Sequence, residues 1–324
     1  MIDIKLLEQL CLCNGISGDE GNVRNLIINE IKDCADDIKT DNLGNLIVFK
    51  KGKKSAKSKL MVSAHMDEVG LMVTDITSDG YLKFDEVGGI DRRVLPGKRV
   101  CVGRNGLNGV IGVKPIHLTN GDEKTAVPKM NDMYIDIGAE SREDALKYVN
   151  YGDSINFEGD FKINGKTVVT KALDDRFGCY VLINLIKSEP EYDMYFTFVV
   201  QEEVGLRGAR PAAFTVNPDF ALVIESTTAA DVAEVDASHQ VCNLSKGATV
   251  TVMDRATVYD KEMISAAFEF AEKNNIAVQY KRAVAGGNDS GAIHQSRGGV
   301  RTLAVSRPSR ENLCPSSSAK PCCF

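Results

Sequence analysis

The sequence lacks the patterns that would place a protein in a membrane or a secreted compartment. No apolar run approaches the roughly 20 residues that a membrane-spanning helix needs. The N-terminus MIDIKLLEQL has no basic stretch followed by an apolar one, as a signal peptide would have. The nine cysteines are odd in number and form no CxxC pair, which argues against a disulfide framework. We therefore expect a soluble, cytoplasmic protein without a membrane partner.

An excess of positive charge is also missing. The chain has 39 Lys and Arg residues against 45 Asp and Glu residues, a net charge of −6, whereas phosphate binding needs clustered basic side chains. The one basic cluster, Lys51–Lys59, lies between two apolar runs, and we interpret it as a solvated hairpin loop rather than a binding patch. The sequence therefore predicts no nucleic-acid partner.

The predicted pattern of secondary structure changes twice along the 324 residues of the chain. Residues 1–69 combine helical periodicity with apolar runs typical of buried strands. Residues 70–161 hold short β-like runs separated by glycine-containing turns, and strands alternate with helices after that. These patterns predict an α/β fold. A three-layer sandwich would be formed by residues 1–69 and 162–324, with a small β-barrel-like domain of residues 70–161 inserted into it.

Acidic side chains and one histidine follow the predicted strands of the sandwich. The ligand site of an open α/β sheet lies at the carboxyl ends of its strands, so residues far apart in sequence can meet there. His65 and Asp67 would lie on the same side of an extended chain. Two adjacent glutamates after an apolar strand would be costly if buried unpaired. The candidates at strand ends or at a helix start are His65, Asp67, Asp174, Asp175, Glu202, Glu203 and Glu225.

Each of these clusters also has a purely structural interpretation. His65 and Asp67 could be polar residues at a strand end, and Asp174 and Asp175 could cap a helix and complement its dipole. Their joint occurrence favours chemistry instead. One histidine with several carboxylates suits Zn, Mn or Co rather than a structural zinc site, which usually uses cysteine. One glutamate of the 202–203 pair could bind a metal while its neighbour faces a water molecule as general base.

Four segments resemble the motifs of the glutamyl aminopeptidase family of tetrahedral (TET-type) aminopeptidases, also named cellulase M or endoglucanase M. The resemblance runs from the N-terminus to about Arg310, and the motifs occur in the family's order. They are HMDEVG at 65–70, ALDDR at 172–176, QEEVG at 201–205 and GGNDSGA at 286–292.

The resemblance implies a zinc-peptidase-like fold and a dinuclear metal-dependent aminopeptidase. His65 and Glu225 would bind the first metal, Asp174 would bridge both metals, and Glu203 would bind the second. Glu202 would be the general base and Asp67 would stand behind His65. The bond between Asp174 and Asp175 would be cis. The inserted domain would mediate dimerisation, and members commonly build dodecamers and remove N-terminal residues from peptides.

The sequence departs from the family pattern near its end. Where the family carries a histidine that completes the second metal site, this chain has Leu313, and Cys314 is the nearest alternative ligand. We interpret the tail after Arg310 as altered or frame-shifted. Two alternative hypotheses remain. The chain could be a catalytically impaired subunit of an assembly, or a related amide hydrolase such as a deacylase.

Overall fold

The computed structural model describes residues 3–121, 125–284 and 286–310, together with the backbone of 317–319. Its largest element is an eight-stranded sheet in the order β1-β2-β12-β3-β13-β16-β14-β15. These strands are β1 (Asp37–Thr40), β2 (Leu46–Lys50), β3 (Leu60–His65), β12 (Met194–Val199), β13 (Phe220–Thr228), β14 (Ala248–Val250), β15 (Val278–Tyr280) and β16 (Arg301–Ser309). The central strands β12, β3, β13 and β16 are parallel neighbours.

Helices cover both faces of this sheet. The helices are α1 (Ile4–Leu12), α2 (Gly21–Ile31), α4 (Leu173–Lys187), α5 (Ala209–Val216), α6 (Lys261–Lys273) and α7 (Ser290–Ile293), whereas the short α3 (Arg142–Ala145) belongs to the insert and packs in its core. Side chains of α1, α2 and α4 pack with Val62 and Ala64 in one apolar core, and those of α5, α6 and α7 pack with Met61 in another. Because successive strand residues point to opposite faces, β3 contributes to both cores. The predicted three-layer α/β sandwich is confirmed.

Residues 70–157 contain a closed six-stranded barrel in the order β4-β5-β8-β7-β6-β9. Its strands are β4 (Gly70–Ile76), β5 (Leu82–Val87), β6 (Arg99–Val102), β7 (Leu107–Val113), β8 (Met133–Asp136) and β9 (Ser154–Phe157). They enclose an apolar core of their own. The barrel lies within the predicted insert 70–161, so the β-barrel-like architecture is confirmed, whereas the role of the insert in dimerisation stays a prediction.

A third, small sheet joins β10 (Lys162–Asn164), β11 (Thr167–Thr170) and β17 (Ser317–Ala319). Strand β17 pairs antiparallel with β11, so the chain beyond Arg310 returns to the strand that precedes α4. Within the described ranges, none of the helices is long and apolar enough to cross a membrane.

The hairpin predicted around Lys51–Lys59 is wrong. This segment is an exposed loop, but β2 and β3 on either side of it do not pair with each other. Strand β12 lies between them, antiparallel to β2 and parallel to β3. Strand β12 lies some 130 residues further along the chain. The loop between β2 and β3 carries no sequence pattern that would indicate this insertion, so periodicity could not predict it.

Candidate metal centre

The neighbouring strands β12, β3 and β13 bring the candidate residues to one edge of the large sheet. Strand β3 ends at His65, which lies in register with Val199, and the Gln201–Glu203 loop follows β12 directly. Helix α4, which begins next to Asp174, packs against β3 and β13. Parallel strands deliver their carboxyl ends to the same edge, as the sequence predicted.

Glu225 differs from its predicted place at the end of a strand. Strand β13 runs from Phe220 to Thr228, and Glu225 lies inside it, opposite Ser306 of β16. The strand continues because β16 pairs with it as far as Ser309.

His65 stands at the centre of the cluster. Its Nε2 lies 3.2 Å from Oδ1 of Asp174 and 3.4 Å from Oε1 of Glu225. Its Nδ1 lies 3.0 Å from the main-chain oxygen of Asp67 and 3.5 Å from the Oδ1 of that residue. The imidazole therefore contacts carboxylates through one nitrogen and the Asp67 segment through the other.

Two groups of potential metal ligands share His65. The ligand atoms of His65, Asp174 and Glu225 lie within 4.8 Å of one another, and so do those of His65, Glu202 and Glu203. Five of the predicted side chains are thus brought together. Asp174 and Glu203 fall into different groups, and the bridging role of Asp174 stays a prediction. The peptide bond between Asp174 and Asp175 is cis, as the resemblance implied.

Burial and mutual repulsion govern the protonation of these carboxyl groups. Desolvation, reinforced by Asp174, raises the pKa of Glu225 well above its ordinary value and that of Glu203 to about 8. Desolvation also raises the pKa of Glu202, with Glu225 and Asp289 adding to it. Burial opposes charging of His65, but Glu225, Asp174 and Asp67 outweigh it and raise the pKa of the imidazole.

These properties fit a divalent cation. The described residues provide no hydrogen-bond donor for Oε2 of Glu225 or Oδ2 of Asp175, although both atoms are buried. Buried carboxylates of this kind are normally paired or coordinate a metal. Oxygen ligands with one imidazole suit a hard or borderline divalent ion. The donor set therefore matches the predicted metal chemistry.

The pKa of Asp67 is lowered, in contrast to the raised pKa values of the three glutamates. Burial would raise its pKa, but His65, the hydroxyl of Ser17 and the amide of Glu202 together lower it. Oδ1 of Asp67 accepts the N–H of Glu202 at 3.0 Å, and Oδ2 accepts the N–H of Glu203 at 3.1 Å. Asp67 therefore stays ionised and connects His65 with the glutamate loop.

Sequence reasoning missed several residues around this centre. Asp289 was named only as part of the motif GGNDSGA. It is fully buried. Burial raises its pKa to about 7, and the nearby carboxylates of Asp67 and Asp174 add to this shift. Ser17 and Glu20 belong to none of the four motifs, yet Ser17 donates to Asp67 and Glu20 accepts the N–H of Gln201. The glycines of the GISG stretch at 15–18 were the one available sign of a constrained backbone: a Cβ at Gly15 would clash with Val23, and Gly18 has a φ of 90°. The positions of Leu313 and Cys314 lie outside the described residues.

Comparison with known proteins places this geometry in a family. The profile of the M42 glutamyl aminopeptidase family matches residues 44–320. A relative in Acetivibrio thermocellus that carries an aminopeptidase name is 43% identical over 97% of this chain and 92% of its own. The TET aminopeptidase of Thaumarchaeota archaeon SCGC AB-539-E09 is 32% identical with a TM-score of 0.93, over 98% of this chain and 91% of that one.

A second solved structure agrees with this assignment. The TET1 peptidase of Pyrococcus horikoshii, which can assemble into a tetrahedron or a large octahedral shell, is 39% identical. Its TM-score is 0.86, over 98% of this chain and 94% of that one. The similarity covers the barrel as well as the sandwich with its acidic cluster. The chain belongs to the M42 glutamyl aminopeptidase family and is a metal-dependent aminopeptidase.

Proposed function

We propose that His65, Asp174 and Glu225 hold one divalent metal ion and that Glu203 holds a second. Glu202 is the general base of peptide hydrolysis, and Asp67 orients His65. Zn or Co is the preferred metal, with Mn as a further candidate. The observation that carries the proposal is the convergence of His65, Asp174 and Glu225, whose ligand atoms lie within 4.8 Å of one another.

The ions, when bound, supply Lewis acidity that polarises the scissile carbonyl and makes the attacking water more acidic. Glu202 accepts a proton from that water at its carboxylate and passes it to the departing amine nitrogen as the C–N bond breaks. Its adjacency to Glu203 and its closeness to His65 support this role. The burial of the cluster excludes bulk water, which strengthens each electrostatic contact.

The second metal site is the weaker half of the centre. Among the described residues its ligands are Glu203 and the shared groups around His65. The family's final histidine is replaced by Leu313. We therefore expect the second ion to bind less tightly than the first, so that activity depends on the metal concentration in the assay.

Activity measurements with the full chain test the assignment. The protein is loaded with Zn, Co or Mn and assayed on aminoacyl-anilides, and Glu202→Gln should lower kcat by about 100-fold or more because a general base typically contributes that much. Glu189→Gln, at a glutamate with 86% of its side chain exposed, is the matched control and should leave kcat unchanged. Equal rates for Glu202→Gln and the unsubstituted enzyme would remove Glu202 from the mechanism.

A second assay separates the aminopeptidase from a deacylase. Peptides with a free amine and the same peptides with an acetylated N-terminus are compared at equal concentration. An aminopeptidase cleaves only the free-amine set, whereas a deacylase releases the acyl group from the blocked set. Cleavage confined to the blocked peptides would refute the proposed substrate class.

We also propose a homo-oligomer that is built from dimers and can reach a dodecamer. The insert exposes large apolar side chains, including Ile116, Leu118 and Tyr148, at 71%, 56% and 57%, and exposed apolar surface is a feature of many interfaces. The known assemblies of the Pyrococcus horikoshii relative support this proposal. Light scattering on Ile116→Lys should show smaller particles, while Phe270→Lys, on α6 and 63% exposed, serves as the comparison.

The expected cytoplasmic location is retained as part of the proposal. Among the described residues, Cys11, Cys13, Cys34, Cys101, Cys179 and Cys242 are free thiols. Free thiols are typical of a reducing compartment. Fractionation of cells that express the tagged full chain measures the location directly.

A further inference from the structure

The loop that carries Glu202 and Glu203 is held by its own backbone amides. The N–H of Gln201 donates to Oε1 of Glu20 at 3.2 Å, and the next two N–H groups donate to the two oxygens of Asp67 at 3.0 and 3.1 Å. Glu20 is 4% exposed and Asp67 is fully buried. The pKa of Asp67 is lowered, and hydrogen bonds to an ionised acceptor are roughly twice as strong as neutral ones. Three successive N–H groups of the loop thus donate hydrogen bonds to two buried carboxyl groups.

The backbone of the loop needs such support. Gln201 has a φ of 55°, in the left-handed region that side chains with a Cβ disfavour by roughly 1–2 kcal/mol. A non-glycine residue adopts this conformation stably only where surrounding contacts impose it. Gln201 itself donates its N–H to Glu20, so this hydrogen bond supports the strained residue directly.

The supporting groups come from the N-terminal segment Gly15–Glu20, which connects α1 to α2. The hydroxyl of Ser17 donates to Oδ2 of Asp67 at 2.6 Å, and Ser17 is 5% exposed. Oε1 of Glu20 also accepts the N–H of Gly18 at 2.7 Å. The N–H of Glu68 donates to the carbonyl of Gly15 at 3.1 Å. The segment is therefore tied both to the end of β3 and to the glutamate loop.

We propose that Ser17 and Glu20 are positioning residues of the active site. Ser17 holds Asp67, and Glu20 holds Gln201, and together they keep Glu202 and Glu203 in place. Neither residue touches the reacting atoms. The inference rests on the proposed roles of Glu202 and Glu203, but the hydrogen bonds that it invokes can be tested without any activity.

Hydrogen exchange of the Gln201–Glu203 amides is the direct measurement. In the full chain, Glu20→Ala should speed exchange of the Gln201 amide by about tenfold, because a buried hydrogen bond is lost. Ser17→Ala should speed exchange of the Glu202 and Glu203 amides by several-fold. Glu20→Gln and Ser17→Thr keep an acceptor oxygen and a hydroxyl, and each should restore most of the protection.

Kinetics of the metal-loaded enzyme provide the second measurement. Both alanine variants should lower kcat by about tenfold or more while KM changes little, because displaced catalytic groups lose transition-state contacts. Calorimetry should show weaker binding at the second metal site, to which Glu203 contributes. The matched control is Ser154→Ala, which removes a 2.5 Å hydrogen bond from Ser154 to Asp19 of the same segment without contacting the loop.

The outcomes separate this inference from the proposed function. Unchanged exchange at the three amides in both alanine variants would overturn the inference, whatever the activity. Effects of equal size in Ser154→Ala would also overturn it, because they would indicate a general loosening of the segment. Faster exchange at the loop in a chain without peptidase activity would support the positioning role and count against the proposed function alone.

Discussion

His65 Nε2 lies 3.2 Å from Oδ1 of Asp174, although the two residues are 109 positions apart in the chain. Strand β3 delivers the imidazole, and the start of α4 delivers the carboxylate. The contact brings together an imidazole nitrogen and a carboxylate oxygen, and both are ligands that divalent cations accept. It defines the part of the centre that is complete in the described structure.

Removal of His65 should abolish tight metal binding. His65→Ala should weaken the first site by more than about 100-fold, which exceeds what the loss of an outer-shell partner costs. Isothermal titration with Zn or Co measures the effect. His294→Ala is the control, because Nδ1 of His294 lies 2.7 Å from the carbonyl oxygen of Ser290 and belongs to neither ligand group. Equal losses in the two variants would contradict the assignment of His65.

Restoring the family histidine should strengthen the second site. We expect Leu313→His to tighten binding of the second ion by about tenfold or more, because an imidazole is a strong ligand for Zn and Co, and to raise kcat at low metal concentration. The same titration with Cys314→Ser asks whether the thiolate already acts as a ligand. A large loss in Cys314→Ser with no gain in Leu313→His would identify Cys314 as the natural ligand.

A buried ion network beside the site should dominate the stability of this region. Glu68 accepts from Lys171 Nζ at 3.0 Å and from Arg176 Nη2 at 3.3 Å, and the three side chains are almost fully buried. Glu68→Gln leaves two buried cations without their carboxylate and should cost about 3–5 kcal/mol of unfolding free energy. Denaturant titration of the metal-free chain measures it.

The control for that prediction is an exposed ion pair of similar geometry. Lys54 and Glu191 lie 2.6 Å apart, and both side chains are more than half exposed. Glu191→Gln should cost less than about 1 kcal/mol. The double variant Glu68→Gln/Lys171→Met should recover part of the loss, because it removes one of the uncompensated charges. A cost for Glu68→Gln no larger than that of the surface variant would refute the network's importance.

The cap of α6 should contribute stability that depends on pH. Asp260 accepts the N–H of Met263 at 3.0 Å and pairs with Arg301 at 2.6 Å. Arg301 first, and then the Met263 amide, lower the pKa of Asp260 to about 2. The stabilisation is therefore fully present above the unfolded pKa of about 3.9 and is lost as the pH falls through about 2.

The measurement is a series of denaturation curves for Asp260→Ala and the unsubstituted chain. At neutral pH the variant should be less stable by about 1 kcal/mol, most of it the lost cap, because the ion pair is exposed. Between pH 4 and pH 2, as the carboxyl group gains its proton, the two curves should converge. A difference that stays constant over this range would exclude the charge of Asp260 as the cause.

The sequence alone determined the class of fold and most of the candidate ligands. Apolar runs of strand length alternating with amphipathic helices reflect burial on both faces of a sheet, and this requirement leaves a periodic pattern in the chain. Carboxylates placed directly after such runs, as in Glu202 and Glu203, are chemically unusual wherever the fold buries them. Local patterns also marked His65, Asp174 and Glu225 as candidates, and the family resemblance gave them their predicted roles as ligands.

Only the tertiary structure decided which elements pair and what holds the site. The insertion of β12 between β2 and β3, and the extension of β13 past Glu225, depend on partners distant in sequence. The contacts of Ser17 and Glu20 with Asp67 and the Gln201 amide join segments up to 181 residues apart. Hydrogen bonds of this kind impose no repeating pattern on the chain, so they became visible only when the folded backbone brought their donors and acceptors together.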